Sequence, residues 1–255
     1  MSKNQHYFKL KVNASVLDKD NEKIASFLPS QWLLVKGSFM NRSEAKALMH
    51  DIGCGEIRAL KCLMDRYLDI VARTAFRILC DRKDCEAVTR DVFVHVWNYS
   101  EKYDGAISLK MWILRLTCRY ARRQLVIRRL MYIFGHRPDL FVTSSPKAPD
   151  YDDYVTKQAW ELYCRASVHL SFRQRELFTL CVLEDISPED VSLITRISVR
   201  GIRRLLADSE STFRRELRYY GKADEYDRYV GFLRIVEEGF VEHDKLKRII
   251  LASIS

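Results

Sequence analysis

Four arginines at helical spacing form the most informative chemical pattern in this sequence. Arg115, Arg119 and Arg122 recur every three or four residues and Arg123 adjoins them, which places them on one side of a helix. Guanidinium groups stay charged and hydrogen bond phosphate oxygens in a fixed fork. The other side of this segment is apolar, with Leu114, Cys118, Ala121 and Leu125. The pattern predicts a helix with one face in a core and one face for an anionic ligand, or else a solvated arginine face.

The segment before these arginines predicts a second amphipathic helix, joined to the first by a turn at Asp104–Gly105. Its apolar residues recur at helical spacing and are Val88, Val92, Phe93, Val96 and Trp97. A different, more polar face holds Ala87, Arg90, Asp91 and Val94. Because one face is needed for the core, we expect the polar face to be offered to a protein partner.

A helix-turn-helix pattern follows between residues 160 and 217. Ser171 with Gln174 predicts a capping box, and Ser187 followed by Pro188 predicts another helix start. A short turn at 195–197 precedes Ser198, which begins the last helix. In such motifs the N-terminal residues of the last helix enter the DNA major groove.

Composition agrees with a helical protein that binds a polyanion. Glycine and proline number only 9 and 5 in 255 residues, which favours helices over turn-rich sheets. The formal net charge is +9, a balance typical of nucleic-acid-binding proteins, though ribosomal and membrane-surface proteins share it. We expect a cytoplasmic protein without membrane insertion, since neither a signal peptide nor a membrane-length apolar run is visible.

Two stretches resemble a known family. DCEAVTRDVFVHVW, followed by YDG and SLKMWILRL, is similar to region 2 of bacterial sigma-70 factors of the extracytoplasmic-function group. LSFRQRELFTLCVLEDISPEDVSLITRISVRGIRRLL resembles their region 4. The resemblance implies an all-α fold of two helical domains on a flexible linker, and a factor that recruits core RNA polymerase for promoter recognition and melting. The implied parts are an N-terminal extension 1–42, a region 2-like domain 43–130, a linker 131–156, a region 4-like domain 157–220 and a C-terminal extension 221–255.

The resemblance also assigns site residues and partners. The partners are promoter DNA, the clamp and flap of core RNA polymerase, and either an anti-sigma factor or a further DNA-targeting protein. Residues implied in polymerase binding are Asp84, Glu86, Arg90, Asp91, Val92 and Phe93. Residues implied in binding the melted minus-ten strand are Asp104, Ser108, Lys110, Trp112, Arg115, Arg119, Arg122 and Arg123. Residues implied in reading the minus-35 element are Ser198, Val199, Arg200, Arg203 and Arg204.

Some positions depart from the family pattern. Ala87 and Arg90 replace an acidic residue and a glutamine of the polymerase-binding helix, and Arg119 replaces an asparagine. Further along the last helix the family favours arginine at the positions of Leu205, Asp208 and Glu210. Carboxylates near phosphates repel them, so we predict weak minus-35 binding by this domain alone. Trp112 is interpreted as a core residue, with base stacking as the alternative.

Neither catalysis nor a cofactor is expected. The seven cysteines lack a CxxC pair and are interpreted as reduced core thiols. His50 and Cys54 are spaced to share a helix face but lack two more ligands for zinc. No phosphate loop or nucleophile motif is present, so we predict that the protein is not an enzyme.

The remaining segments leave alternatives open. HYFKLKVN and QWLLVKGSF in the N-terminal extension look strand-like and suit either a decoration of the body or a docking arm. Ser43 is the expected cap of a helix pair over 43–80. The linker, with Asp150, Asp152 and Asp153, suits a nucleic-acid mimic or a plain tether. The C-terminal extension predicts one helix around Tyr226–Phe240 and another around 246–250, which either fold back on the helix-turn-helix or dock a partner.

Two rival functions remain at this stage. The first keeps the sigma-like body but has a partner, either another DNA-binding protein or an RNA-guided one, deliver it to DNA, and it rests on Asp208, Glu210 and the added ends. The second is a plain helix-turn-helix regulator that never touches the polymerase, which leaves the Asp84–Trp97 pattern unexplained.

Overall fold

The structure, a computed structural model, describes residues 40–133, 154–235 and 242–254. These residues are helical throughout, with no strand among them, so the predicted all-α class is confirmed. The strand-like segments of the N-terminal extension and the acidic part of the linker lie outside the described residues. We number the helices of the described residues α1 to α10 in chain order.

The front half, residues 42–133, contains α1 (Arg42–Gly53), α2 (Ile57–Leu79), α3 (Arg82–Asn98) and α4 (Leu109–Ile133). Helices α2, α3 and α4 pack on one another through the apolar faces that the periodicity predicts. Leu63 and Val71 of α2, Val92 of α3, and Ile113 and Leu114 of α4 have no exposed surface. Because α4 runs to Ile133, it extends into the N-terminal end of the predicted linker.

Side-chain caps define where these helices begin. Asn41, rather than the expected Ser43, caps α1: its side chain accepts a hydrogen bond from Glu44 N, and the Glu44 carboxylate accepts one from Asn41 N. Ser43 instead donates to Asn41 Oδ1 at 2.7 Å. Asp81 caps α3 by accepting from Asp84 N at 2.9 Å, as the acidic helix start predicts.

The back half, residues 154–235, begins with α5 (Tyr154–Val168) and α6 (Phe172–Leu177), then a π-helical turn over Phe178–Leu183. The helix-turn-helix follows as α7 (Pro188–Thr195) and α8 (Val199–Tyr219). The predicted caps Ser171, Ser187 and Ser198 each accept a hydrogen bond from the third residue of their helix. Since α5 begins at Tyr154, helix also enters the C-terminal end of the predicted linker.

The two halves meet through buried aromatic and charged side chains. Phe76 of α2 stacks on Trp160 of α5 with ring centroids 4.4 Å apart. Tyr163 of α5 donates from its hydroxyl to the carbonyl of Arg77 at 2.7 Å. Arg73 and Arg77 of α2 both pair with Glu184, at 2.9 and 2.5 Å. This buried contact brings the helix-turn-helix against the front half.

The C-terminal helices separate, which corrects part of the expectation that they fold back on the helix-turn-helix. Helix α9 (Tyr226–Ile235) packs on α5 and on the π-helical turn of the back half. Helix α10 (His243–Ala252) packs instead on α3 and α2 of the front half. It buries Leu246 and Ile250, and Lys247 pairs with Asp65 at 2.6 Å. The chain therefore ends its described part on its own front half.

Candidate nucleic-acid and partner-binding surfaces

The residues of α3 assigned to polymerase binding fall into two groups, one partly exposed and one buried. Glu86, Arg90 and Asp91 are partly exposed, and Arg90 pairs with Asp91 at 2.7 Å. Val92 and Phe93 have no exposed surface, because they supply the apolar face that packs α3 against its neighbours. In this conformation the first three residues can contact a partner, and Val92 and Phe93 serve the interior.

Asp84 is also buried, for an electrostatic reason. Its carboxylate accepts a hydrogen bond from Gln124 Nε2 at 2.7 Å and pairs with the guanidinium of Arg128. Both partners come from α4, so Asp84 fixes α3 to α4 rather than facing outward. Arg128 was not singled out from the sequence, where it reads as one of several arginines in a basic run.

The turn before α4 is held by short-range hydrogen bonds. Asp104 is exposed and accepts from Ala106 N at 2.7 Å, while Ser108 accepts from Met111 N at 3.3 Å. Lys110 is half-buried on the first turn of α4. Trp112 is 8% exposed and meets Tyr103 edge-on, with centroids 5.6 Å apart. Its burial matches the interpretation of Trp112 as a core residue.

The arginine face of α4 is half covered by the back half. Arg115 donates to the carbonyl of Leu193 in α7 at 2.5 Å. Arg122 pairs with Glu176 of α6 at 3.3 Å and lies over the ring of Phe172, 4.8 Å from its centroid. Arg119 and Arg123 are exposed. The four arginines do share one face, but two of them already hold groups of the back half.

Positive charge is concentrated at this contact. Burial lowers the pKa of Arg115, and the nearby charge of Arg196 lowers it further. Burial and the charge of Arg119 likewise lower the pKa of His95, whose ring lies 3.2 Å from an Arg119 nitrogen. An anion that binds between neighbouring positive groups lowers their mutual repulsion. The surface is therefore electrostatically suited to a phosphate group.

The N-terminal turns of α8 form an open basic surface. Ser198 caps the helix by accepting from Gly201 N at 3.3 Å, and Val199 is half-buried beside it. Arg200, Arg203 and Arg204 are exposed. The pair between Arg203 and Glu189, at 3.3 Å, is exposed on both sides, so it holds Arg203 only weakly. All five residues assigned to duplex reading lie together at the start of this helix.

Further along α8 the surface becomes acidic, as the sequence indicates. Asp208 is exposed and Glu210 is half-buried. The charge of Glu210 helps burial to raise the pKa of Tyr226 in α9. Arg214 lies over the Tyr226 ring, 3.7 Å from its centroid. Arg214 thus contacts α9, and the stretch that directly follows the basic first turns of α8 carries the carboxylates of Asp208 and Glu210.

No metal site or membrane helix emerges from the described residues. They contain no group of three or more His, Cys, Asp or Glu side chains that could hold a metal ion. His50 and Cys54 contact each other at 3.7 Å, as neighbours along α1 do. None of the described helices combines the length and the apolar content needed to cross a bilayer.

Comparison with known proteins shows a likeness in fold but not in sequence. No family model matches this sequence, and no curated protein matches it either. Among solved structures, the chain is similar to CnrH, an extracytoplasmic-function sigma factor, in its complex with the cytosolic domain of CnrY. The TM-score is 0.51 at 16% sequence identity, over 69% of this chain and 97% of CnrH. The chain thus has the helical fold of a sigma factor of this group.

Proposed function

We propose that this protein is a sigma factor that binds core RNA polymerase and directs promoter recognition and melting. Its work is binding and positioning, while bond formation belongs to the polymerase. The observation that carries the proposal is that, in a sigma-like fold, α3 packs on α4 and His95 of α3 contacts Arg119 of the arginine face. A protein-binding surface and a strand-binding surface are what such a factor needs next to each other.

Polymerase binding is assigned to the exposed charged residues of α3. Glu86, Arg90 and Asp91 present both signs of charge on one face, which suits orientation and register against a charged partner surface. Asp84, Val92 and Phe93 support this face from inside by fixing α3 to its neighbours. Their family role in polymerase contact becomes, in this chain, a role in holding the contact helix in place.

Promoter DNA is assigned to two separate surfaces. The N-terminal turns of α8, with Arg200, Arg203 and Arg204, fit the duplex major groove. The arginines of α4 bind the phosphates of the melted strand. Single strands bind to basic grooves that lie near aromatic side chains, because the bases can stack on them. Arg115 and Arg122 are fully available only after α7 and α6 leave them, so presentation of all four arginines to the strand requires the two halves to separate.

Reconstituted transcription tests this function. Purified protein is combined with core polymerase of its own organism, and complex formation and run-off transcription are measured. Asp91→Arg should abolish association with core enzyme, while the matched reversal Asp227→Arg, at an exposed position of α9, should leave it unchanged. Arg119→Glu combined with Arg123→Glu should preserve association but block strand opening. A wild-type protein that does not associate with core enzyme would refute the proposal.

A second candidate keeps the polymerase-binding role but assigns promoter search to a partner. The observation that favours it is the acidic surface of α8 at Asp208 and Glu210, which opposes binding to duplex phosphates. Co-purification from the native host distinguishes the two functions. Recovery of a DNA-targeting protein with the polymerase supports the second, and recovery of polymerase subunits alone supports the first.

Regulation by a protein partner is part of the same proposal. CnrH is in complex with the cytosolic domain of CnrY, and we propose that a protein partner, an anti-sigma factor, likewise binds this chain. The same co-purification reports it, because such a partner is recovered with the protein in the absence of polymerase.

A further inference from the structure

Two cysteines from different halves of the protein meet at the buried interface. Cys80 ends α2 in the front half, and Cys164 lies in α5 of the back half. The Cys80 thiol lies 3.3 Å from Ser167 Oγ, and Ser167 in turn donates to the carbonyl of Cys164 at 2.7 Å. The Ser167 hydroxyl thus contacts both the Cys80 thiol and the backbone of Cys164, and it places the two cysteines side by side. They are 1% and 6% exposed, so an oxidant reaches them when the two halves part.

Other buried thiols have different partners. Cys85 donates to the carbonyl of Ala72 at 3.1 Å, within the front half. Cys118 lies beside Glu176, whose carboxylate together with burial raises the pKa of that thiol. By contrast, the hydrogen bond from Cys164, assisted by the charge of Arg175, lowers the pKa of Cys80 to about 7. A thiolate is the reactive form of cysteine. Cys80 therefore loses its thiol proton more readily than Cys85 and Cys118, whose pKa values are raised.

We propose that Cys80 and Cys164 form a disulfide on oxidation, and that this bond locks the back half over the arginine face of α4. The oxidant is a peroxide. The Cys80 thiolate attacks one peroxide oxygen, the O–O bond breaks, and Cys80 becomes a sulfenic acid as hydroxide leaves and takes a proton to form water. The Cys164 thiol then attacks the sulfenic sulfur, the S–S bond forms, and a second water leaves. Two thiols are oxidised by two electrons and one hydrogen peroxide is reduced to two waters.

The position of the bond gives it a regulatory consequence, which rests on the proposed function. Presentation of all four arginines to the strand requires α6 and α7 to leave Arg122 and Arg115. A covalent bond between α2 and α5 prevents the halves from separating while leaving each half folded. The disulfide would therefore hold the factor in a form that cannot present its full arginine face to DNA.

Peptide mapping of the full chain tests the chemistry. The reduced protein is treated with hydrogen peroxide, alkylated under native conditions, digested without reductant and analysed by mass spectrometry. The expected result is one linked peptide pair containing Cys80 and Cys164, with a mass about 2 Da below the sum of the free peptides because two hydrogens are lost. Absence of this pair, or links of Cys80 only to other cysteines, overturns the proposal.

Variants separate the disulfide from a folding defect. Cys80 has a left-handed φ of 52°, where glycine is the usual residue. Cys80→Gly therefore removes the thiol at a position where the backbone suits glycine, and Cys164→Ala suits the helix. Both should keep the far-ultraviolet circular dichroism of the wild type and lose the linked pair. Cys118→Ser, a change at a buried cysteine beside a different partner, should retain the link.

Binding measurements test the lock itself. A labelled single-stranded oligonucleotide and core polymerase are titrated with reduced and oxidised protein. We expect oxidation to weaken strand binding at least about tenfold, reversibly with dithiothreitol, and to have no effect on Cys164→Ala. Equal binding by both forms of the wild type overturns the lock. If the linked peptide pair forms but the reduced protein does not bind core polymerase, the proposed function is refuted and the disulfide proposal still stands.

Discussion

Arg122 of α4 and Glu176 of α6 form an ion pair at 3.3 Å across the contact between the two halves. The Glu176 side chain is 2% exposed, whereas Arg122 keeps 43% of its side-chain surface open. Arg173 also pairs with Glu176, at 2.9 Å. The Glu176 carboxylate thus pairs with Arg122 at the place where a phosphate of the DNA strand is proposed to bind. In this conformation the protein itself satisfies part of the surface proposed to bind nucleic acid.

Removing the Glu176 charge should uncover that surface. We expect Glu176→Gln to bind a single-stranded oligonucleotide about fivefold more tightly, the ratio that ~1 kcal/mol produces. Fluorescence anisotropy at fixed salt measures the change. Glu225→Gln, which removes a carboxylate paired with Lys222 and Arg228 on the surface, is the matched control. If both variants bind like the wild type, Glu176 does not compete with the strand.

Glu184 should stabilise the folded protein mainly through its ion pairs with Arg73 and Arg77. Its side chain is 5% exposed and that of Arg77 is 1% exposed, so Glu184→Gln removes the balancing carboxylate from a buried cation. We expect the free energy of unfolding to fall by about 3 kcal/mol, measured by urea denaturation. Glu189→Gln breaks only the exposed pair with Arg203 and should cost at most about 1 kcal/mol. Equal losses in both variants would contradict this assignment.

The charge of α8 should set its affinity for duplex DNA. Arg200→Ala and Arg204→Ala should each weaken binding across sequences and reduce the slope of log K against log salt by about 0.9, one phosphate contact. Asp208→Arg should strengthen binding and make that slope steeper. Gel-shift titrations at several salt concentrations measure both effects. Tight, sequence-specific binding by the unaltered protein would contradict the predicted weak minus-35 reading.

Stability should decline as His95 becomes protonated. Burial and the charge of Arg119 lower the pKa of His95 in the folded protein below its ordinary value of 6.5. The unfolded chain therefore binds the proton more readily. The stability present above pH 6.5 is lost as the pH falls through the window between that value and the folded pKa. His95→Gln should remove this part of the acid dependence of Tm, whereas a slope identical to the wild type would exclude His95 as its source.

Local features of the fold were predictable because they depend on neighbouring residues. Helix periodicity indicated the buried faces of α2, α3 and α4, and caps such as Ser171 and Ser198 follow from hydrogen bonds across three residues. The error at the start of α1 has the same origin. Asn41 and Ser43 are both good caps, and the reciprocal bond with Glu44 decides for Asn41.

The coverage of the site was not predictable, because it depends on contacts between distant segments. The sequence places Arg115 and Arg122 on one face but does not show that Leu193 and Glu176 reach them. Similarly, Asp84 looks like a surface carboxylate until Arg128, on a different helix, pairs with it. The proximity of Cys80 to Cys164 was not predictable either, since neither spacing nor neighbours distinguish these two cysteines from the other five.

The return of α10 to α2 and α3 affects how the protein can be engineered. His243 contacts Asp69 and Lys247 pairs with Asp65, so α10 is held against the front half by polar contacts as well as by Leu246 and Ile250. Deleting residues after 241 would expose apolar surface next to α3 rather than shorten a peripheral tail. A reporter attached beyond Ser253 would stand close to the helix assigned to polymerase binding, and labels placed on α9 are the safer choice.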